Sequence, residues 1–275
     1  MSEKGPLAFE QHFSNIYGDR WPALKSALLG LEKQVARQNI FASDFPQFTL
    51  GEEVPRSANG LISYYVMDPA SQVPATLLDV QDGDIVLDMC AAPGGKTLIL
   101  SEGLKRSGEL IANELSEARR DRLTKVIQNY VSREIRNFIH VKGKDGGKYA
   151  LTHKSYFDKI LIDAPCSGER HLLENKKELA EWSVSRSKKL AQRQYALLTA
   201  ALLALKPGGL MVYSTCSISP FENDGVIETL MKKKDGFKIM KTDVEGAEKT
   251  KYGHLFLPDQ SFGGPIFCAV LQKDQ

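Results

Sequence analysis

Two cysteine motifs, one acid and a glycine-rich turn carry most of the chemistry open to this 275-residue sequence. The four cysteines, Cys90, Cys166, Cys216 and Cys268, lie 76, 50 and 52 residues apart. No CxxC pair or Cys/His cluster has zinc spacing, and four thiols in so long a chain make no disulfide framework, so they read as free thiols. Cys166 ends Asp163-Ala-Pro-Cys and Cys216 ends Ser214-Thr-Cys, each after an apolar run. Cys268 lies inside such a run and reads as a buried structural thiol. Ser219-Pro-Phe-Glu222 has the form of a capping box with proline at the first helical position. It predicts a helix N-terminus just beyond Cys216 that would favour a thiolate, hence a nucleophile. Asp163 is expected in a semi-buried site, pushed toward its protonated form and able to give a proton or hydrogen bond to a ring nitrogen.

A second group of residues suits a nucleoside. Asp88-Met-Cys90 runs into the small-residue loop Ala91-Ala-Pro-Gly-Gly95 and Lys96, where absent side chains let a ligand approach the backbone and a helix start. Glu114 follows Gly94 by 20 residues, the place of a carboxylate that takes ribose hydroxyls. The loop is not G-x-G-x-x-G, so S-adenosylmethionine, which has no pyrophosphate, fits as well as a dinucleotide. Asp145-Gly146 is placed to meet the adenine edge, or is simply a turn. A thiolate and a methyl donor together suit one reaction. Carbon 5 of a pyrimidine attacks a sulfonium methyl only after a thiolate has added at carbon 6, and a second group must then help release the product. Spacing alone leaves open which cysteine attacks.

These residues need a scaffold that gathers strand ends. Short apolar runs at Ile85–Asp88, Glu109–Ala112, Phe138–Val141, Asp158–Asp163 and Gly209–Thr215 alternate with helical segments at Glu117–Val131 and Lys188–Leu205, the latter with Leu190, Leu197, Leu198, Ala201 and Leu202 inward and closed by Lys206-Pro-Gly-Gly209. Alternation of this kind predicts an α/β, Rossmann-like, mostly parallel doubly wound sheet, with ligands beyond its carboxyl edge. Phe237–Thr242 and Ile266–Lys273, with no full helix between them, predict an antiparallel C-terminal edge pair. The boundary is expected near residue 80: residues 1–80 as a small helical N-terminal extension, with a stripe of Leu24, Leu28, Leu31 and Val35 over Trp21–Asn39, and residues 81–275 as the catalytic domain.

At 42% hydrophobic and 25% charged, the composition excludes disordered and collagen-like classes. The sequence has neither a membrane-length apolar run nor a transit-like start, so the expected compartment is the cytoplasm, with a mitochondrial setting open if a transit segment is missing from this chain. The net charge of +2 points to no partner, but its distribution is uneven. Eleven Lys or Arg face four acids between Arg119 and Lys159, and Arg186, Lys188, Lys189 and Arg193 form an acid-free cluster of the kind that contacts phosphates.

Three motifs in order, Leu87-Asp-Met-Cys-Ala-Ala-Pro-Gly-Gly-Lys-Thr97, Asp163-Ala-Pro-Cys-Ser-Gly168 and Tyr213-Ser-Thr-Cys-Ser217, resemble the signatures of the Sun-type (Nol/Nop/Sun) RNA cytosine-C5 methyltransferases, from about Tyr64 to Lys273. Met67-Asp-Pro-Ala-Ser71, Gly83-Asp-Ile-Val-Leu87 and Glu169-Arg-His171 look most like the branch that modifies mitochondrial ribosomal RNA. The resemblance implies an S-adenosylmethionine-dependent enzyme in which Cys216 attacks cytosine C6 and Cys166 assists release. It implies that Asp163 contacts the base and the cofactor's methionine end, and that Cys90, Ala91, Ala92, Pro93, Gly94, Gly95, Lys96, Glu114, Asp145 and Gly146 hold the cofactor. DNA cytosine methyltransferases attack instead from a Pro-Cys dipeptide like Pro165-Cys166, so the choice of Cys216 follows from the family. Glu114 stands where Asp is more usual, with the same charge. Longer relatives carry a separate RNA-binding domain that is not recognisable here. RNA, ribosomal RNA first, is therefore the expected partner, an adaptor RNA-binding protein is a further candidate, and no metal or membrane is implied. The rival readings are a methyltransferase for tRNA, protein or a small molecule, and a non-catalytic RNA-binding assembly factor.

Overall fold

A computed structural model describes residues 4–105 and 107–275. Helix α1 (Pro6–Tyr17) begins at a proline, whose missing N–H would have had no partner there, and is followed by Gly18. After one 3₁₀ turn, α2 (Trp21–Leu29) ends at Gly30, whose extended backbone breaks the stripe that predicted a helix through Asn39. Leu24 and Leu28 are fully buried, but Leu31 is 98% exposed. Val35 opens strand β1 (Val35–Gln38), which pairs antiparallel with β2 (Tyr64–Met67). The N-terminal region is thus two helices plus a small sheet. A glycine costs about 1 kcal/mol inside a helix, and the β-branched Val35 gains more in a strand, so continuation had little to favour it.

After α3 (Val73–Leu77), strand and helix alternate: β3 (Ile85–Asp88), α4 (Gly95–Ser101), β4 (Glu109–Asn113), α5 (Glu117–Tyr130), α6 (Arg133–Arg136), β5 (Ile139–Lys142), β6 (Phe157–Asp163). The short helices α7 (Glu169–Glu174) and α8 (Lys176–Ala180) lead to the long α9 (Val184–Ala204), which feeds β7 (Leu205–Thr215) directly. Lys206-Pro-Gly-Gly209, expected to close the helix, is the irregular start of β7; Leu205 already pairs with Phe157, and a register shift separates it from the regular ladder. Then come α10 (Asp224–Lys233), β8 (Phe237–Ile239), β9 (Glu248–Lys249), β10 (His254–Phe256) and β11 (Ile266–Lys273).

The strand order is β5-β4-β3-β6-β7-β11-β10-β9, with β8 also on β11. The first five strands are parallel; β8, β9, β10 and β11 pair antiparallel. Successive residues send side chains to opposite faces. Leu87, Ile160, Ile162, Met211 and Tyr213 pack with α9 and α10, while Val86, Leu161 and Val212 pack with α3, α4 and α5. The order reverses direction between β3 and β6, so the crevice at their carboxyl ends is the switch point where such sheets bind ligands. Asp88 ends β3, Asp163 ends β6 and Thr215 ends β7, with Asp163 in register with Ser214.

Helices α1 and α2 close over this edge. Phe9, Phe13, Trp21, Leu24 and Leu28 form one apolar cluster with Leu172 and Trp182, which follow Cys166 in sequence, and Ile218, which follows Cys216.

Candidate active site

Two adjoining cavities lie along the switch point. The first, about 380 Å³, is lined by Cys90, Glu114, Asp145, Gly146 and Arg193 among others. The second, about 260 Å³, is lined by Asp88, Cys90, Ala91, Ala92, Pro93, Gly95, Lys96 and Asp163, with Tyr65 and Ser71. Cys90 belongs to both, so the loop after β3 is the wall they share. Gly94 lines neither: at φ +123 it serves the turn, and a Cβ there would lie 2.9 Å from Val126 of α5. A Cβ at Gly95 would lie 2.7 Å from the Tyr65 ring, and one at Gly146 2.7 Å from Leu197. Burial pushes the Cys90 thiol up, away from a nucleophilic role.

Glu114 is buried, accepts from the Ser116 N–H at 2.8 Å and faces Arg119 at 3.3 Å. Asn113 ties the strand ends together, donating from Nδ2 to the carbonyls of Met89 and Lys144 and accepting from the Lys144 N–H. In the smaller cavity Asp88 is fully buried; Thr97 Oγ1 donates to its Oδ2 at 2.7 Å, and its Oδ1 has no partner among the described residues. Burial pushes the Asp88 carboxyl up to about 7. A buried acceptor without a donor, on the wall of a cavity beside a nucleoside-sized one, suits the amino group of a bound amino-acid moiety. The donor set therefore fits S-adenosylmethionine.

Asp163 is half-buried, as expected, but it is held as an acceptor by two partners. Lys96 Nζ lies 2.7 Å from its Oδ2, and Ser214 Oγ donates to its Oδ1 at 2.8 Å. Burial works against the Lys96 ammonium, but Asp163, with Cys216 and Asp88 behind it, outweighs burial and raises its pKa. Ser71 Oγ accepts a further bond from Lys96 at 2.8 Å.

Cys166 and Cys216 meet at the ends of β6 and β7. Their Sγ atoms are 2.8 Å apart, and the Cys216 N–H points to Cys166 Sγ at 3.3 Å. Contact with Cys216, then burial, pushes the Cys166 thiol up. Cys216 is exposed. The expected helix N-terminus beside it is absent: residues 220–223 form a turn and α10 begins at Asp224. Ser219 Oγ is unpartnered among the described residues, and Glu222 turns inward to accept from the Ser167 N–H and Gln194 Nε2, both at 2.9 Å. The cap fails because Glu222 is taken by buried donors. Cys216 is close enough to Lys96 to help raise the pKa of its ammonium.

Sequence spacing did not place Glu169 and Glu222 behind the cysteines, where both are fully buried. The predicted basic residues divide by role. Arg186 is held by Glu178 at 3.1 Å, whereas Lys189 and Arg193 line an open cavity of about 580 Å³ with Cys166, Lys4 and Arg186. Lys188 sits 5.3 Å from the centre of the Phe221 ring. In the other basic run, Arg119 and Arg120 are spent on carbonyls of Ala92, Glu114 and Leu115. Cys268 is buried in β11 as expected. Among the described residues no cluster of three or more His, Cys, Asp or Glu is placed to hold a metal ion.

Comparison with known proteins agrees with this architecture. The chain is 33% identical over 92% of its length to the bovine (Bos taurus) 5-cytosine rRNA methyltransferase NSUN4, of which it covers 80%. It is 34% identical over 78% of its length to a mouse (Mus musculus) mitochondrial tRNA (cytosine(34)-C(5))-methyltransferase, of which it covers 64%. Its fold matches that of NSun6 from Pyrococcus horikoshii, solved with SFG, with a TM-score of 0.79, 19% identity and 98% coverage of both chains. Residues 75–272 match the model of the 16S rRNA methyltransferase RsmB/F family, and the chain belongs to that family.

Proposed function

We propose that the protein is an S-adenosylmethionine-dependent RNA (cytosine-C5)-methyltransferase acting on ribosomal RNA. The observation that carries this reading is the pair of thiols 2.8 Å apart at adjacent strand ends, beside an acid that lines the smaller of the two cavities. A protein or small-molecule methyltransferase has no use for two such thiols. Residues 81–275 serve as the catalytic domain and residues 1–80 as an extension seated on it. The mitochondrial tRNA methyltransferase among the relatives favours a mitochondrial over a cytoplasmic setting.

Cys90, Ala91, Ala92, Pro93, Gly95, Lys96 and Asp163 would hold the methionine end of the cofactor, and Glu114, Asp145 and Gly146 the nucleoside; Gly94 shapes the turn. The bound cofactor supplies a sulfonium methyl group to carbon 5. The rest falls to the protein. Cys216, as thiolate, gives an electron pair to C6, and the charge that builds on the ring is offset by the nearby Lys96 ammonium. Asp163, as an ion-paired acceptor, suits the amino group of cytosine better than an unprotonated ring nitrogen. After methylation the Cys216 Sγ–C6 bond breaks with its electron pair going to sulfur, which takes the Cys166 proton, and the Cys166 thiolate left behind accepts the C5 proton. Cys166, whose thiol is held protonated, is the donor beside the departing sulfur. The base must be unpaired or flipped to reach Cys216, and Lys4, Arg186, Lys188, Lys189 and Arg193 would contact flanking phosphates. An adaptor protein that presents the RNA is compatible with this surface.

The test is a denaturing gel of wild type, Cys166→Ala and Cys216→Ala after incubation with S-adenosylmethionine and unmodified ribosomal RNA or tRNA. A slow protein–RNA band that builds up in Cys166→Ala and is absent in Cys216→Ala is expected, with ribosomal RNA the better substrate. The reverse pattern exchanges the two roles. Adducts with tRNA alone overturn the ribosomal assignment, and methyl transfer that survives loss of both thiols overturns the mechanism.

A further inference from the structure

Glu169 is the first residue of α7 and is fully buried behind the two thiols. Its partners define its position more sharply than burial does. Oε1 accepts from Ser167 Oγ, the residue after Cys166, and from Ser217 Oγ, the residue after Cys216, the latter at 3.0 Å. Oε2 accepts from the Ile218 N–H at 3.0 Å. The two serine hydroxyls are themselves 3.1 Å apart. One carboxylate thus holds both cysteine loops, which are 50 residues apart in sequence.

A second acid secures the arrangement. Glu222 accepts from the Ser167 N–H, and the Gln194 amide that binds Glu222 also donates to the Pro165 carbonyl, so both neighbours of Cys166 are fixed. Among the described residues neither acid has a basic side chain as a hydrogen-bond partner. Burial, and then Glu222, push the Glu169 carboxyl up to about 7. Two acids buried together are costly to a fold, and a purely structural anchor could be built from neutral groups. Their retention here calls for a task that only an acceptor of several donors at one point performs.

We propose that Glu169 is a positioning residue that sets the distance between the Cys166 and Cys216 sulfurs, with Glu222 fixing the Cys166 loop against it. The proposal rests on the reading of these two thiols as the working pair. A multiple acceptor fits the geometry because hydroxyls from both loops converge on one oxygen. Glutamine at 169 keeps the volume and one acceptor, but turns its NH₂ toward either the serines or the Ile218 N–H, so one set of bonds is lost.

The experiment compares wild type, Glu169→Gln and Ser217→Ala; the last breaks the clasp from the side of Cys216 and leaves the carboxylate in place. The first readout needs no RNA: the rate at which diamide joins Cys166 to Cys216 as a disulfide, followed by loss of free thiol and peptide mapping. The second is kcat and KM on ribosomal RNA. Both variants are expected to slow disulfide formation and lower kcat about tenfold, with KM for RNA and cofactor affinity within about twofold, a barrier change of about 1.4 kcal/mol. Glu169→Asp should not restore the wild-type rate, since its shorter arm cannot span both serines. Unchanged disulfide rate and kcat in both folded variants overturn the proposal. So does a rise in KM alone, or a lower melting temperature with kcat per folded molecule unchanged. Because the thiol readout is independent of methyl transfer, an RNA that fails as substrate leaves it decisive.

Discussion

Asp88 offers the sharpest quantitative prediction. It is fully buried, one carboxylate oxygen is bound by Thr97, and the other has no partner among the described residues while the side chain lines the smaller cavity. Burial drives its carboxyl up to about 7. If the free oxygen receives the cofactor's ammonium, binding requires the ionised form. That form is roughly 3% populated near pH 5.5 and about half populated near pH 7, so the affinity for S-adenosylmethionine should rise about fifteenfold between them. The stability of the apoprotein moves the other way. An acid whose folded pKa lies above its unfolded value binds protons more tightly when folded, so stability falls as pH rises from about 4 through about 7. Calorimetric titration across this range, with urea unfolding of the apoprotein, measures both. Asp88→Asn should bind weakly, lose the pH dependence of affinity, and lose much of the decline in stability; Glu169, also near 7, leaves the remainder. A dissociation constant that does not vary with pH in wild type, or an equal slope in Asp88→Asn, would refute the assignment.

Three further outcomes follow from the same geometry. Glu114→Gln should weaken cofactor binding about tenfold with little loss of stability, because Ser116 and Arg119 keep an oxygen acceptor at the site; calorimetry checks this. Neutralising Lys188, Lys189 and Arg193 together should lower the slope of log affinity against log salt by up to about 2 for single-stranded RNA, and Arg186→Gln alone should change it less than Lys189→Gln because Glu178 already holds Arg186. Trp182→Ala should destabilise by about 3–5 kcal/mol in urea, since the ring is buried and meets Phe9 edge-on at 5.0 Å. A loss under about 1 kcal/mol would mean that α1 and α2 are not anchored through it.

Much of the catalytic region was legible because its signals are local. Apolar runs ending in Asp88, Asp163 and Thr215 sit where the period of the pattern changes from strand to helix, and the sheet gathers those ends without further information. The places that failed are those where a distant partner overrides a local preference. Glu222 has the spacing of a cap, but buried N–H groups from Ser167 and Gln194 claim it. Asp163 reads as a proton or hydrogen-bond donor until Lys96, 67 residues earlier in the chain, is folded against it. Val35 reads as one more turn of helix until Met67 is there to pair with it. Glu169 stood in the sequence only as part of a motif resembling one family branch, with no signal of its place behind the thiols, because that place is set by two serines on separate loops.

The position of β11 has a consequence for how the molecule is made. This strand lies between β7 and β10, yet the ribosome delivers it after both. Until it arrives, the long β7 presents an open row of backbone donors and acceptors to any neighbouring chain. Residues 216–265 must wait with their own apolar surface uncovered. Nascent chains stalled in this interval should be the main clients of chaperones for this protein, and truncations that remove β11 should precipitate although every residue of the cofactor and thiol sites is present.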